Sequence, residues 1–338
     1  MIRRRSAVLL GLVVSAAFLW LAFRKISLGE VFEAIAGVDV RVLSLVLVTK
    51  GLSFALAAAR SAILLRPRVR LSFRRLYSSQ LIGFVANNAL PMRAGELVRI
   101  DYLARVGGLP RSGILPVVVV ERLFDAASLG VLFVSALPFL AGDLPVGAAF
   151  GLSLGGALVA LGAVYALRRR PERLVALCEA MARPLGARVG SFVSQKARNA
   201  GEGLRAIPSG AAVPLVAALS AGIWACAMAS VQVWLWSFGL RLAWSAPLLV
   251  VVFLAFGLAV PSTPGHVGTY HYFALAGLSA AGLDPALGLP VAVVGHAASI
   301  VPFTLVGIPV FLREAVPWGT PVARDEAPSG EATGDGPR

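Results

Sequence analysis

Charge, cysteine and histidine are all scarce in this chain. Charged residues make up 14% of its 338 residues, 58% are hydrophobic and the mean hydropathy is +0.81. That balance excludes a soluble globular domain of this length and predicts an all-α polytopic membrane protein. Its two cysteines, Cys178 in a basic stretch and Cys226 inside an apolar run, are too few and too differently placed for a disulfide frame or a metal site. Of the three histidines, His266 and His271 stand five apart, poorly placed on one helix face for tetrahedral coordination, so neither a metal nor another cofactor is expected. Nucleophile elbow, phosphate-binding loop and dinucleotide fingerprint are missing too, and the nearness of Ser262 and Thr263 to His266 does not make a triad. No enzyme activity is expected.

Acidic residues are outnumbered 17 to 31 by basic ones, giving a net charge of +14. The basic residues fall in short clusters between apolar runs, without interleaved aromatics, which fits membrane topology and anionic lipid rather than a nucleic acid. Arg greatly outnumbers Lys, and Ala and Gly abound, as in proteins of GC-rich bacteria.

Taken in order, Arg3, Arg4 and Arg5 precede an apolar run over 6–23, expected to be an uncleaved first crossing. A second run, 42–65, carries Lys50 and Arg60, which need protein or aqueous partners, and ends in five arginines between Arg66 and Arg75 that mark the cytoplasmic side. Further crossings are predicted over 112–137, 147–167, 211–238 and 287–312. Residues 138–146 form an external turn, and Trp224, Trp234 and Trp236 are read as interface anchors. The basic segment 168–210 has apolar residues at helical spacing and is expected to lie on the cytoplasmic leaflet, within a transmembrane domain over 1–314. A Pro- and Gly-rich acidic tail over 315–338 is expected to be disordered and cytoplasmic, like the N-terminus.

Two stretches break the pattern. Residues 81–105 are apolar yet hold Asn87, Asn88, Pro91, Arg93, Glu96 and Arg99. A charge at the centre of a lipid-facing helix costs about 2.5–3.5 kcal/mol, whereas a Leu or Val returns only about 0.3–0.6. This stretch is therefore read as a re-entrant or broken helix lining a cavity, with Pro91 and Gly95 at the break. The second stretch, 248–283, is divided by Pro261, Pro264, Gly265 and Gly268. Six full crossings plus these two elements result, or eight crossings if each element traverses the membrane. The two would approach the midplane from opposite sides, the arrangement of an inverted repeat around a transporter site. In 117–125, Glu121 and Asp125 lie at i and i+4 with Arg122 beside them, so that helix should pack on the first broken element.

The motifs NNALPMRAGELVR at 87–99, ERLFD at 121–125 and PSTPGHVGTYHYF at 261–273 resemble, in that order, those of the flippase-like membrane family named after the transmembrane region of lysylphosphatidylglycerol synthase. In the synthase a similar region is associated with moving aminoacylated phospholipid between leaflets, while a separate cytosolic domain makes the lipid. No such domain is recognised in this chain, so the resemblance implies a translocation core and argues against lysyl transfer. The family-like residues are Asn88, Pro91, Arg93, Gly95, Glu96, Arg99, Glu121, Arg122, Asp125, Pro261, Pro264, Gly265 and Gly268. His266 stands where the family often has Gly, and His271 where Glu is frequent.

The expected function is flippase-like or scramblase-like translocation of an anionic phospholipid or polyprenyl-phosphate-linked lipid across the bacterial plasma membrane. Arg93 and Arg99 would contact phosphate, Glu96, Glu121 and Asp125 would organise the cavity, and His266 or His271 would serve as a gate or as polar packing. A non-transporting accessory subunit of an envelope glycosyltransferase or lipid-modifying enzyme is the alternative.

Overall fold

The computed structural model describes residues 28–90, 95–141, 212–259 and 263–315, together with isolated positions at 20 and between 169 and 198. Regular structure among the described residues is entirely helical. A short helix α1 (Leu28–Ala36) leads to α2 (Val40–Leu65). Asp39 caps α2, its Oδ1 accepting the backbone N–H groups of Arg41 at 2.8 Å and Val42 at 3.2 Å that would otherwise be unpaired at the helix start. At 1.5 Å per residue, α2 is about 39 Å long, more than the ~30 Å hydrocarbon thickness of a bilayer.

Among the described residues four helices have the length and hydropathy to cross a membrane: α2, α5 (Arg111–Ala141), α6 (Ala212–Ser237) and α9 (Pro285–Val310), the last continuing through a wider turn at Phe311–Ala315. They match the crossings expected at 42–65, 112–137, 211–238 and 287–312. The expected crossings 6–23 and 147–167, the run of the basic segment and the tail beyond Ala315 lie outside the described residues. One boundary differs. Helix α5 continues to Ala141 and takes in Pro138, because a proline in the last turn removes only one hydrogen bond from a helix that is ending anyway.

Both interrupted elements are hairpins. Helices α3 (Phe73–Ala89) and α4 (Gly95–Gly107) run antiparallel, with Gly83 beside Arg99 and Gly95 beside Asn87. A Cβ on Gly95 would sit 2.6 Å from the Asn87 backbone nitrogen, so only glycine permits this approach, and the Gly95 N–H donates to Asn87 Oδ1 at 2.9 Å. Helices α7 (Ser245–Ala259) and α8 (Thr269–Ala280) pair in the same manner, and a Cβ on Gly277 would sit 2.7 Å from Val250 Cα. None of the four arms exceeds the 17 residues of α3, about 25 Å of helix and short of a full hydrocarbon crossing.

The two hairpins enter the bundle from opposite ends. Helices α2 and α6 are antiparallel, tied at one end by Asp39 N–H donating to Ser237 O at 2.8 Å and deeper by Thr49 Oγ 2.7 Å from Ser230 Oγ. The first hairpin follows the Arg66 end of α2, and the second follows the Ser237 end of α6. Between them, the short turn Pro264–His266 reaches α3. Helix α9 closes the bundle: Phe303 packs edge-on against Phe54, and Tyr102 of α4 donates to Glu314 Oε2 at 2.5 Å. Two apolar cores result, one around Leu64, Ile82, Leu103 and Val117 behind the first hairpin, the other around Val231, Val250, Ala274 and Leu278 behind the second.

Candidate functional site

Charged side chains gather where α2, α4 and α5 meet. Arg99, 2% exposed, grips the fully buried Glu121 in a two-pronged pair, Nη1 donating to Oε2 at 2.7 Å and Nη2 to Oε1 at 3.1 Å. Ser61 Oγ donates to Glu121 Oε1 at 2.6 Å while accepting from Arg99 Nη2 at 2.8 Å and Gln80 Nε2 at 3.2 Å. One turn along α5, Asp125 accepts from Arg60 Nη1 at 2.5 Å and lies 3.3 Å from Arg122, and Arg60 Nη1 also donates to Ser220 Oγ at 2.8 Å. Glu96 bridges loosely, 3.7 Å from Arg99 and 3.8 Å from Arg122.

Three guanidinium groups thus face three carboxylates, and the cluster carries no net charge. Ions are taken from water only at a cost of several kcal/mol each, which mutual attraction offsets where the geometry is good and the remaining hydrogen-bonding sites are filled. The Arg99–Glu121 pair meets that condition almost completely. It is a fastener between α4 and α5, reinforced by the Ser61 hydroxyl of α2.

Beside the cluster lies a cavity of about 450 Å³. Its walls come from α2, α3, α5, α6, α7, α8, α9 and the 264–266 turn, and mix Lys50, Asn88, Arg122, Asp125 and His266 with apolar residues of α7 such as Val251 and Leu254. Lys50 sits ten residues before Arg60, about 15 Å along α2 from it by helix rise. Its ammonium lies over the rings of Phe84 at 5.3 Å and Phe54 at 5.5 Å, and no ion pair reaches it among the described residues. Asn88 donates to Thr304 Oγ of α9 at 3.4 Å.

The second break has its own geometry. Gly265, His266 and Gly268 have φ of 72°, 55° and 93°, three left-handed residues within four positions. His266 adopts a backbone shape that glycine would take without strain. Immediately after, the Gly268 N–H approaches His271 Nδ1 at 3.4 Å, which leaves the proton of a neutral ring on Nε2, 3.2 Å from His296 Nδ1. Tyr270 stacks on His296 with ring centroids 3.9 Å apart.

The structure divides the residues expected at the site into two groups. Asn88, Arg122, Asp125 and His266 line the cavity. Glu96, Arg99 and Glu121 form the adjoining ion cluster, and His271 stands behind the wall, joined to it through His296. Gly95, Pro264, Gly265 and Gly268 lie at the two breaks, whereas Pro91, Arg93 and Pro261 lie outside the described residues. Arg99 is enclosed with Glu121, which takes both of its Nη groups, and only its Nε–H is left without a partner among the described residues. Trp224 and Trp234 differ from expectation. Both line the cavity, and only Trp236 is exposed, because residues two apart on a helix point about 200° apart and cannot share a lipid-facing side. Ser61, Gln80 and Ser220 escape sequence reading altogether, since isolated small polar residues in apolar helices carry no spacing signal. Lys50 and Arg60 do carry one, being cations in an otherwise apolar run. Among the described residues no three side chains form a metal-binding group.

A family model described as the lysylphosphatidylglycerol synthase TM region matches residues 8–307. No curated protein matches the chain.

Proposed function

The chain belongs to the family of the lysylphosphatidylglycerol synthase TM region, and from that premise we propose that it translocates an anionic phospholipid or polyprenyl-phosphate-linked lipid between the leaflets of a bacterial plasma membrane. The observation that carries this reading is the cavity between two hairpins that enter from opposite ends of the bundle. Its wall joins charged and apolar residues, as a lipid with a polar head and a hydrocarbon tail requires. Half-length helices meeting at mid-depth are the recurring architecture of transporter sites. In this reading the described ends of α2 and α9 beside Arg66 and Arg313 face the cytoplasm, following the excess of basic residues there.

Within this scheme the ion cluster is a rigid support and the cavity is the substrate chamber. Glu121 and Arg99 hold the first hairpin against α5; Asp125 and Arg122, at the edge of both, connect support to chamber. The test is a leaflet-accessibility assay on the full chain in vesicles. Fluorescent phosphatidylglycerol in the inner leaflet should become exposed to an external quencher at least tenfold faster than in protein-free vesicles. Equal rates for every anionic lipid tried, together with co-purification with an envelope enzyme, would replace this reading with the accessory-subunit one.

A further inference from the structure

We infer that Lys50, and not the arginines of the ion cluster, is the residue that receives the charged group of the ligand, and that the cavity selects a singly charged phosphodiester headgroup. The inference rests on the translocation reading only for its lipid source.

The argument begins with charge balance. Every guanidinium of Arg60, Arg99 and Arg122 is matched by a carboxylate of Glu96, Glu121 or Asp125. Those six groups have no charge left to offer. Lys50 is the surplus: it lines the same cavity, its ammonium lies over the faces of Phe54 and Phe84, and no described carboxylate pairs with it. Aromatic faces hold a cation in place but do not neutralise it. An ammonium at this depth has no counter-ion among the described residues, and an anion entering the cavity would complete it.

The remaining wall agrees on the sign of the guest. The ring N–H groups of Trp224 and Trp234 are buried and have no hydrogen-bond partner among the described residues. An indole N–H can only donate, so both call for an acceptor. Phosphate oxygens are acceptors only, and a lysine binds them as a point charge without demanding a fixed approach. One surplus positive charge matches a phosphodiester carrying one negative charge. A phosphomonoester, near −2 at pH 8, would leave a charge uncompensated in an apolar chamber, and a zwitterionic headgroup would bring a second cation beside Lys50.

The test uses the full chain purified in maltoside micelles, with tryptophan emission reporting occupancy because Trp224 and Trp234 stand in the wall. The probes at pH 8 are dihexanoyl phosphatidylglycerol, phosphatidic acid and phosphatidylcholine, and inorganic phosphate. Phosphatidylglycerol should bind at least tenfold more tightly than each of the others. Lys50→Gln should weaken it at least tenfold, and Lys50→Arg, which keeps the charge, should stay within about threefold of the parent. Equal binding by Lys50→Gln and parent overturns the assignment, as does equal loss in both variants, which would make Lys50 a matter of shape. Inorganic phosphate binding as tightly as phosphatidylglycerol overturns the lipid source. The two proposals separate cleanly: Lys50-dependent binding with no lipid movement in vesicles refutes translocation alone, and movement unchanged by Lys50→Gln refutes this subsite alone.

Discussion

The two hairpins solve one problem by different chemistry. Each must turn a helix back at the depth of a bilayer, where unpaired backbone groups and loose ends are costly. The first hairpin is clamped by ions: Arg99 on α4 pairs with Glu121 on α5, and Arg60 on α2 pairs with Asp125 one turn away. The second has no Asp, Glu, Lys or Arg on either arm. Its arms close through glycine clefts, Gly277 against Val250 and Gly257 against Phe273, and its break is shaped by left-handed residues and a histidine pair. Ionic clamping is strong, local and intolerant of losing one partner. Glycine clefts instead spread the contact along both arms and respond to volume.

Those differences can be broken one at a time. The largest effect should come from Glu121→Gln, which leaves the enclosed Arg99 guanidinium with only its loose contact to Glu96, at a cost of about 3–5 kcal/mol. Thermal unfolding of the detergent-solubilised protein should register that loss. Replacing both members, Arg99→Met with Glu121→Leu, should recover most of it; a Glu121→Gln protein that melts like the parent would show that the ion pair does not hold the first hairpin. Next comes Gly277→Val, which forces a branched side chain onto the Val250 backbone and should cost about 1–3 kcal/mol through overpacking. Here the signature is regional, with faster hydrogen exchange in α7 and α8 and unchanged exchange in α4. Uniform acceleration across the bundle would mean that the hairpins are not separable units. His271→Phe should have the smallest effect, about 1 kcal/mol, since it removes the acceptor for the Gly268 N–H and the donor to His296. Its readout is again exchange in α8, and a change larger than that of Glu121→Gln would reverse the comparison.

Much of this contrast was legible in the letters. Pro and Gly at 91–95 and 261–268, set into apolar runs, marked both breaks, because only such residues interrupt helix bonding so abruptly. The i, i+4 spacing of Glu121 and Asp125 placed both on the α5 face that meets Arg99 and Arg60. What the spacing could not specify was which cation each acid would meet. Arg99 and Glu121 are twenty-two residues apart across a turn, so whether that arginine stays open to a ligand is decided by tertiary packing. The same holds for Trp224 and Trp234: amphipathic rings suit an interface or a cavity wall equally, and only the packing of α6 on its neighbours turns them inward. His266 shows the opposite case, where an unexpected residue occupies a left-handed position and the backbone keeps the shape glycine would have allowed.

The meeting of the Pro264–His266 turn with α3 has a consequence for distance. The turn leans on that one helix and also stands beside the cavity. A molecule resting in the chamber would already touch that turn, since His266 belongs to its wall. Under the proposed translocation, a shift of this single turn would reshape the chamber wall while helices as long as α2 and α9 stay in place.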